Sequence, residues 1–265
     1  MEQIKSVTEI FDDAPSTDST KIFDRLWSVM ATQRDRIMEQ FDLNEDMSLA
    51  EQESFGGDSG PRGSQRAWTG SNMDWLVNSW IGDPEGGFTN MHLTAWLGPD
   101  TNVPHLGMAW GTLPHLWFFV DLLPRADLWL DLDYVDQYYE PANEAYLELL
   151  EQPGVTPFVS KDTYTRVSVS QSAFCVVLPT TDENIDLIET MAATRIDQWL
   201  SYLAEAPKTD PEKREALATR DLAMRTNIAE RDPANALAER FFGEELTQKL
   251  IRNLTGADRL IERPR

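Results

Sequence analysis

The sequence predicts an α+β protein, specifically an α/β/α sandwich whose central, mostly antiparallel sheet is flanked by helices. Three apolar runs at 88–97, 104–110 and 116–122 are separated by short breaks that contain Gly and Pro. Runs of this length with short connections indicate consecutive antiparallel strands. Segments with helical periodicity lie before and after them, and helices on both faces of such a sheet give the sandwich.

The elements before the three runs include one clear helix. Apolar residues recur at helical spacing between 21 and 41, with Ser19 or Thr20 as the N-cap. Residues 1–20 are polar and predict a flexible N-terminus, so a single domain is expected over 21–265. Residues 44–66 form a Gly/Ser-rich loop, for which disorder is favoured over a functional lid. Residues 67–81 predict one or two edge strands.

The elements after the three runs alternate between helix and strand. Residues 131–152 predict a helix that breaks near Pro141, and residues 163–169 and 173–178 predict two further strands. Helices are expected at 181–205 and at 211–230, the second with Pro211 in its first turn. A short segment, 234–242, then leads through Gly243 to a final helix at 244–254.

The composition excludes several classes of protein. Lys and Arg number 23 against 45 Asp and Glu, so the net charge of −22 opposes binding to nucleic acid or anionic membranes. Cys175 is the only cysteine, which excludes a disulfide framework. No run has the length of a membrane span, and the N-terminal residues resemble neither a signal peptide nor a transit peptide. A cytoplasmic protein is expected.

Side chains on the three central strands alternate between two faces. One face carries polar, aromatic and small residues: Asn90, His92, Thr94, Trp96, His105, Gly107, Ala109, Gly111, Trp117, Phe119 and Asp121. The small residues leave room above the sheet for a packed helix or a flat ligand. Asp121 needs a hydrogen-bond partner if it is buried, and an anchoring role for the turn after its strand is favoured over a functional role.

Common catalytic motifs are missing from the chain. It contains no dinucleotide-binding glycine motif, no P-loop and no nucleophile elbow. The three His residues are isolated from Cys and from paired acids, so no metal site is predicted.

Several segments resemble, in order and spacing, the red chlorophyll catabolite reductase family of ferredoxin-dependent bilin reductases. The similar segments in the central sheet are FTNMHLTAWL, VPHLGMAW and LWFFVDLLPRADLWLDLDYVDQYYE. The resemblance continues through TYTRVSVSQSAFCV, RDLAMRTNIAERD and RFFGEEL. It covers residues 75–255 approximately and rests on several short motifs in register.

This resemblance implies an open pocket between the sheet and the C-terminal helices. The family reduces linear tetrapyrroles with electrons from ferredoxin and protons from pocket acids, without a bound metal or flavin, and the resemblance suggests a homodimer. The family places an acid in the second strand of the meander, where this chain has Ala109, and Asp232 matches its second functional acid. His92 and His105 are therefore the candidates to supply acid–base chemistry together with Asp232. The candidate substrate-binding residues are Asn90, Trp96, Trp110, Trp117 and Asp121.

Two enzymatic hypotheses and one binding hypothesis follow. The first is an oxidoreductase that acts on a linear tetrapyrrole or a similar conjugated or aromatic substrate. The second is a cofactor-independent lyase or isomerase acting on an aromatic compound through His92 or His105 with Asp232. The third is a ligand-binding protein without turnover. Acidic ferredoxins require a basic docking rim, which opposes this partner for so acidic a chain. Only one C-terminal set could form such a rim: Arg220, Arg225, Arg231, Arg240, Lys249 and Arg252.

Overall fold

An antiparallel sheet of nine strands forms the middle layer of the described residues. The structure is a computed structural model and describes residues 7–13, 16–113 and 115–256. The strand order is β1-β3-β4-β5-β6-β7-β9-β8, and β2 pairs with β3 outside this path. The strands are β1 (Leu43–Glu45), β2 (Phe55–Gly56), β3 (Arg62–Gly70), β4 (Met73–Asp83), β5 (Phe88–Leu97), β6 (His105–Leu113), β7 (His115–Leu123), β8 (Thr156–Pro157) and β9 (Phe174–Leu178).

Helices cover both faces of the sheet, as the predicted sandwich requires. They are α1 (Val7–Asp13), α2 (Thr20–Met38), α3 (Leu132–Tyr138), α4 (Asn143–Leu150), α5 (Thr163–Ser168), α6 (Asp182–Glu205), α7 (Pro211–Arg231) and α8 (Asn235–Thr255). Two 3₁₀ helices span Met47–Gln52 and Glu140–Ala142. None of the described helices combines the length and the apolar sequence that crossing a membrane requires.

The larger core lies between one sheet face and helices α2, α3 and α6. The inward side chains of β5, β6 and β7 are almost completely buried there, as their alternation predicts. Trp110 belongs to this core, and its Nε1 donates a hydrogen bond to the carbonyl of Leu26, 3.1 Å away. The core also contains Met91, Leu93, Leu106, Met108, Phe118, Val120, Met30, Ile188, Ile196 and Trp199.

A smaller core lies on the opposite face, beneath α7 and α8. Trp75, Val77 and Trp96 are buried there, and Met224 and Ile228 of α7 pack against them. Trp75 Nε1 donates to the carbonyl of Asn253, 2.8 Å away, which ties the end of α8 to β4. The smaller core thus holds α7 and α8 above part of this face and leaves the rest for a site.

Gly243 divides α8 into two helical parts, as the sequence predicts. Its φ of 77° and ψ of 167° are non-helical and lie in a region that glycine adopts without strain. The first part of α8 carries Phe241 against Phe88 and Phe242 against Phe55, with ring centroids 5.6 and 5.3 Å apart. The second part runs along β3 and β4. Because of the kink, the two parts of α8 pack against different parts of the sheet.

Residues 44–66, for which disorder was favoured, are folded. Asp46 caps the 3₁₀ helix by accepting a hydrogen bond from the backbone N–H of Ser48, and Leu49 is buried in the smaller core. Phe55 packs against Phe242 of α8. Leu49 and Phe55 pack into the fold, although the Gly/Ser-rich composition of the segment had favoured disorder. The strands predicted at the edge over 67–81 are also internal, because β1 and β5 flank β3 and β4.

The strand predicted at 163–169 is wrong, since residues Thr163–Ser168 form α5. The Asp162 side chain accepts hydrogen bonds from the backbone N–H groups of Tyr164 and Thr165, which starts a helix. In addition, β9 already pairs with β7 on one side and β8 on the other, so no sheet edge is available there. At the N-terminus, α1 lies within the stretch predicted to be flexible, and residues 1–6 and 14–15 lie outside the described residues.

A buried ion pair joins the ends of the central strands to α7. The Arg125 side chain is completely buried, and its Nη2 lies 2.6 Å from Oδ2 of Asp221 in α7. Nη1 of Arg125 donates to the carbonyls of Thr101 and Gly98, 2.7 and 3.2 Å away, in the β5–β6 connection. One guanidinium therefore connects β7, the β5–β6 loop and α7.

Loss of Asp221 should destabilise the fold strongly. Asp221→Ala leaves the Arg125 guanidinium buried without a counter-charge, which costs about 3–5 kcal/mol in the free energy of unfolding. The matched control is Asp100→Ala, which breaks the partly exposed pair between Asp100 of the β5–β6 connection and Arg214 of the same helix (2.9 Å) and should cost less than about 1 kcal/mol. Urea unfolding measures both values, and equal losses would contradict the anchoring role of Arg125 and Asp221.

Candidate functional site

A group of half-buried side chains lies in the middle of the sheet on the α7–α8 face. Side chains at the centre of a sheet have strands on both sides, so they reach water only through the layer above them. Several side chains of β5, β7 and β9 on this face are nevertheless half-buried rather than buried. They are Asn90, His92, Thr94, Trp117, Phe119 and Cys175. We call these six residues the floor, and the candidate site above them the cleft.

Small residues occupy the β6 positions between the floor residues of β5 and β7. Ala109 lies between His92 of β5 and Phe119 of β7 in the strand register. Gly107 pairs with Thr94 and Asp121 in the next row. Gly111 has a separate reason to be glycine, because a Cβ there would lie 1.9 Å from the carbonyl oxygen of Thr89.

Two stacked aromatic rings belong to the floor. Trp117 and Phe119 point to the same face of β7, with centroids 6.1 Å apart and planes inclined by 7°. Phe158 packs edge-on against Trp117 at 6.2 Å. An apolar surface of this kind suits a flat conjugated ligand.

His92 lies near the centre of the floor, next to Ala109 of the neighbouring strand. Loss of contact with water lowers the pKa of His92 to about 4, so the imidazole is neutral at pH 7. Asn90 lies two residues away on the same face, and its Oδ1 has no hydrogen-bond partner among the described residues. The two side chains bring an acid–base group and a free acceptor to one part of the floor.

Asp121 is buried and bound to the protein. Its carboxylate accepts hydrogen bonds from the backbone N–H and the Oγ of Ser170, at 2.8 and 2.6 Å. Burial is the main cause that raises its pKa to about 6. The anchoring role expected for Asp121 is therefore directed at the segment after α5, and not at the turn after β7.

His105 and Trp96 lie outside the open floor. His105 is completely buried; its Nδ1 accepts a hydrogen bond from the N–H of Leu97 at 2.9 Å, and its Nε2 lies 3.3 Å from Oδ1 of Asp221. Burial is the largest cause lowering its pKa to about 4. Trp96 is buried with its ring edge-on to His105, 5.0 Å between centroids. Both residues are therefore part of the packing that holds α7 on the sheet.

Trp110 cannot line this cleft, because it lies in the core on the opposite face of the sheet.

Asp232 follows the last residue of α7, where its carboxylate accepts a hydrogen bond from the N–H of Ala234 at 2.8 Å. It is exposed to water, yet the protein around it raises its pKa above the usual range, and the charge of Asp162 contributes. Asp232 therefore lies at the junction of α7 and α8, near Asp162, which caps α5.

Two ion pairs hold helix α1 against the C-terminal part of the fold. Glu9 accepts a hydrogen bond from Lys161 Nζ at 2.8 Å, in the segment before α5. Asp12 accepts a hydrogen bond from Arg240 of α8 at 2.9 Å.

The floor includes one residue that sequence reasoning did not select, Cys175. It pairs with Phe119 in the sheet, and burial raises the pKa of its thiol to about 12, so the thiol is protonated. The alternation of 173–178 would have identified its face once β9 was placed beside β7. Among the described residues, no group of three or more His, Cys, Asp or Glu is arranged to hold a metal ion.

Comparison with known proteins agrees with this geometry. The family model described as red chlorophyll catabolite reductase (RCC reductase) matches residues 31–256. The chain is similar to red chlorophyll catabolite reductase 1, chloroplastic, of Oryza sativa subsp. japonica, with 26% identity over 79% of this chain and 69% of the relative. It is also similar to the chloroplastic enzyme of Arabidopsis thaliana, with 26% identity over 68% of this chain and 62% of the relative.

The fold is similar to that of a solved bilin reductase. Phytochromobilin synthase from tomato, solved in complex with biliverdin, superposes with a TM-score of 0.71 over 89% of this chain and 85% of that chain, at 14% identity. This likeness confirms the predicted fold class.

The expectation of a cytoplasmic protein is wrong in the light of these relatives. It rested on the N-terminal residues, whereas the rice and Arabidopsis relatives are both named as chloroplastic proteins.

The expectation of a family resemblance, in contrast, is confirmed, because the matched region covers most of the chain and includes every strand of the floor. The chain belongs to the red chlorophyll catabolite reductase family.

Proposed function

We propose that the protein is an oxidoreductase that reduces a linear tetrapyrrole, or a similar conjugated substrate, lying flat on the cleft floor. The observation that carries the proposal is the half-buried floor, in which His92 and Phe119 lie on the two sides of Ala109 and Phe119 stacks with Trp117. Membership of the red chlorophyll catabolite reductase family supports the reaction class. As in the original expectation, the reaction uses no bound metal or flavin.

His92 is the proposed proton donor to the substrate. The family resemblance places an acid where this chain has Ala109, which has no proton to give. His92 is the residue paired with Ala109 on the adjacent strand, on the same face, so it can reach the space above the missing acid. The chain thus supplies an acid–base group from the neighbouring strand.

The low pKa of His92 couples protonation to reduction. Reducing one double bond requires two electrons and two protons. The first electron places negative charge on the substrate, and a negative charge in the cleft raises the pKa of the adjacent imidazole. His92 then takes up a proton and passes it to the substrate carbon. Asp232 is the proposed second acid, in line with the family resemblance.

The electron donor in this proposal is an external protein. Several members of the C-terminal basic set already contact acids or carbonyls: Arg240 contacts Asp12, Lys249 contacts Glu51, and Arg220 Nη2 contacts the carbonyl of Pro124. Arg225 is buried. Ferredoxin and a homodimer are what the resemblance implies, and the proposed chemistry depends on neither a basic rim nor a second subunit.

In the lyase or isomerase alternative, His105 is not available as an acid–base group. It assigned acid–base chemistry to His92 or His105 together with Asp232, but both nitrogens of His105 face groups of the protein. His92 and Asp232 alone remain for it. The redox function is preferred because the family relatives are named as reductases.

Two additions test the function in sequence. Biliverdin, the ligand in the solved neighbour, is titrated into the purified protein, and a shift of its visible absorption is expected on binding. Reduced ferredoxin is then added without oxygen, and loss of the absorption is expected as a double bond is removed. Without a spectral shift, the tetrapyrrole proposal fails. Binding without bleaching leaves a ligand-binding protein.

Replacement of His92 should slow the reduction and leave binding largely intact. His92→Ala removes the proton donor, so the single-turnover rate should fall by about 10²-fold or more. His115→Ala is the matched control, because His115 is exposed at the start of β7, and its rate should equal that of the unchanged protein. A His92→Ala rate within error of the control would exclude His92 as the donor.

Asp121 should make folding stability depend on pH. Its pKa is raised from 3.8 to about 6 in the folded protein, so the folded state binds more protons than the unfolded chain between these values. The free energy of unfolding therefore decreases as the pH rises through this range, by about 3 kcal/mol at most from this group. Asp121→Asn keeps an acceptor for Ser170 and removes this dependence. Urea unfolding of both proteins across pH 4 to 7 should show a difference that grows in favour of the variant; a constant difference would assign Asp121 an ordinary pKa.

A further inference from the structure

The connection between β7 and α3 exposes a group of large apolar side chains away from the cleft. Trp129 is 92% exposed, Leu130 is 85% exposed and Leu132 is 65% exposed. We call these three residues the apolar tip. Trp, Tyr and Arg are the residues that most often dominate the binding energy of protein interfaces, and exposed apolar groups with polar rims mark such interfaces.

The backbone beneath the apolar tip is held in one conformation. The Asp127 side chain accepts a hydrogen bond from the N–H of Trp129 at 2.9 Å, and the Asp127 carbonyl accepts from Leu130 and Asp131 at 3.1 and 3.0 Å. Asp131 then caps α3 by accepting from Tyr134 N–H. The tip is therefore presented by a fixed turn, which lowers the entropy cost of binding a partner.

The turn is anchored in the fold on both sides. Arg125 before it is buried in the ion pair with Asp221, and Leu128 packs partly into the larger core. Tyr134 after it is buried and its OH accepts a hydrogen bond from the N–H of Arg125 at 3.1 Å. The apolar tip itself contributes little to that core, because its side chains point into water. Burial in the core therefore does not account for the apolar side chains of the tip, whereas binding to a partner would.

The charge around the apolar tip selects the partner. Eight acids and no basic residue lie between Arg125 and Lys161, and all eight are exposed. They are Asp127, Asp131, Asp133, Asp136, Glu140, Glu144, Glu148 and Glu151. A second copy of a chain with net charge −22 would bring like charges together, and an anionic membrane would do the same. Asp127, Asp131, Asp133 and Asp136 adjoin the apolar tip along the chain, so a positively charged protein surface would be attracted to it.

We propose that the apolar tip docks into an apolar pocket on a basic partner protein, with the surrounding acids steering the encounter. Three side chains form a small contact, so the complex is a transient one whose association slows as salt rises. This surface is separate from the cleft, and its role does not depend on the proposed reduction.

Two short synthetic peptides of equal positive charge provide the probe. One contains equal numbers of Lys and Leu, and the other equal numbers of Lys and Ser. Fluorescence anisotropy of the labelled peptides should show roughly tenfold tighter binding of the Lys/Leu peptide, weakened by added salt. The double variant Trp129→Ser, Leu130→Ser should lose this preference. The control Val167→Ser removes another exposed apolar side chain, 78% exposed on α5, and should keep it.

Other occupants are distinguished by two further measurements on the same proteins. Light scattering after size exclusion reports self-association, and flotation reports binding to vesicles of phosphatidylcholine with or without phosphatidylglycerol. A dimer that the double variant abolishes would overturn the proposal in favour of a second copy. Vesicle binding that the double variant abolishes would overturn it in favour of a membrane. Equal peptide binding by the double variant and the control would also overturn it.

Discussion

The buried pair between Arg125 and Asp221 is the interaction on which the site depends. A guanidinium with no water contact needs both a counter-charge and acceptors for its N–H groups, and here it finds them on α7 and on the β5–β6 connection. The position of α7 above the sheet is set by this requirement. His105 completes the arrangement from below, with Nδ1 held by Leu97 and Nε2 directed at the same carboxylate. The ion pair therefore fixes α7 at this end of the strands.

The proposed function places the acid–base group on β5, whereas the family resemblance places it on β6. Ala109 of β6 has no proton to give and is buried, and His92 lies beside it in the register. Phe119 lies on the other side of Ala109 and stacks with Trp117. The acid–base group and the stacking surface need not come from the same strand.

Much of the fold follows from periodicity, and the limits of that reasoning are specific. The strand β5 and the alternation that puts Asn90, His92 and Trp117 on one face could be read directly from the sequence. Alternation also places Trp110 on the other face, where it packs against α2, so it was a poor candidate for the pocket. The burial of His105 depends on a carboxylate more than a hundred residues away, and no local pattern contains that information. The helix α5 depended in the same way on a non-local fact, the occupation of both edges of β9.

The two ion pairs that hold α1 have a consequence for the local stability of the site. Lys161–Glu9 and Arg240–Asp12 are exposed, and exposed pairs contribute little free energy each. The floor, in contrast, belongs to strands paired on both sides, whose amides open only with large parts of the molecule. Amide hydrogen exchange should therefore be fast in α1 and slow in the central strands. One short helix can unfold locally while the paired strands keep their geometry.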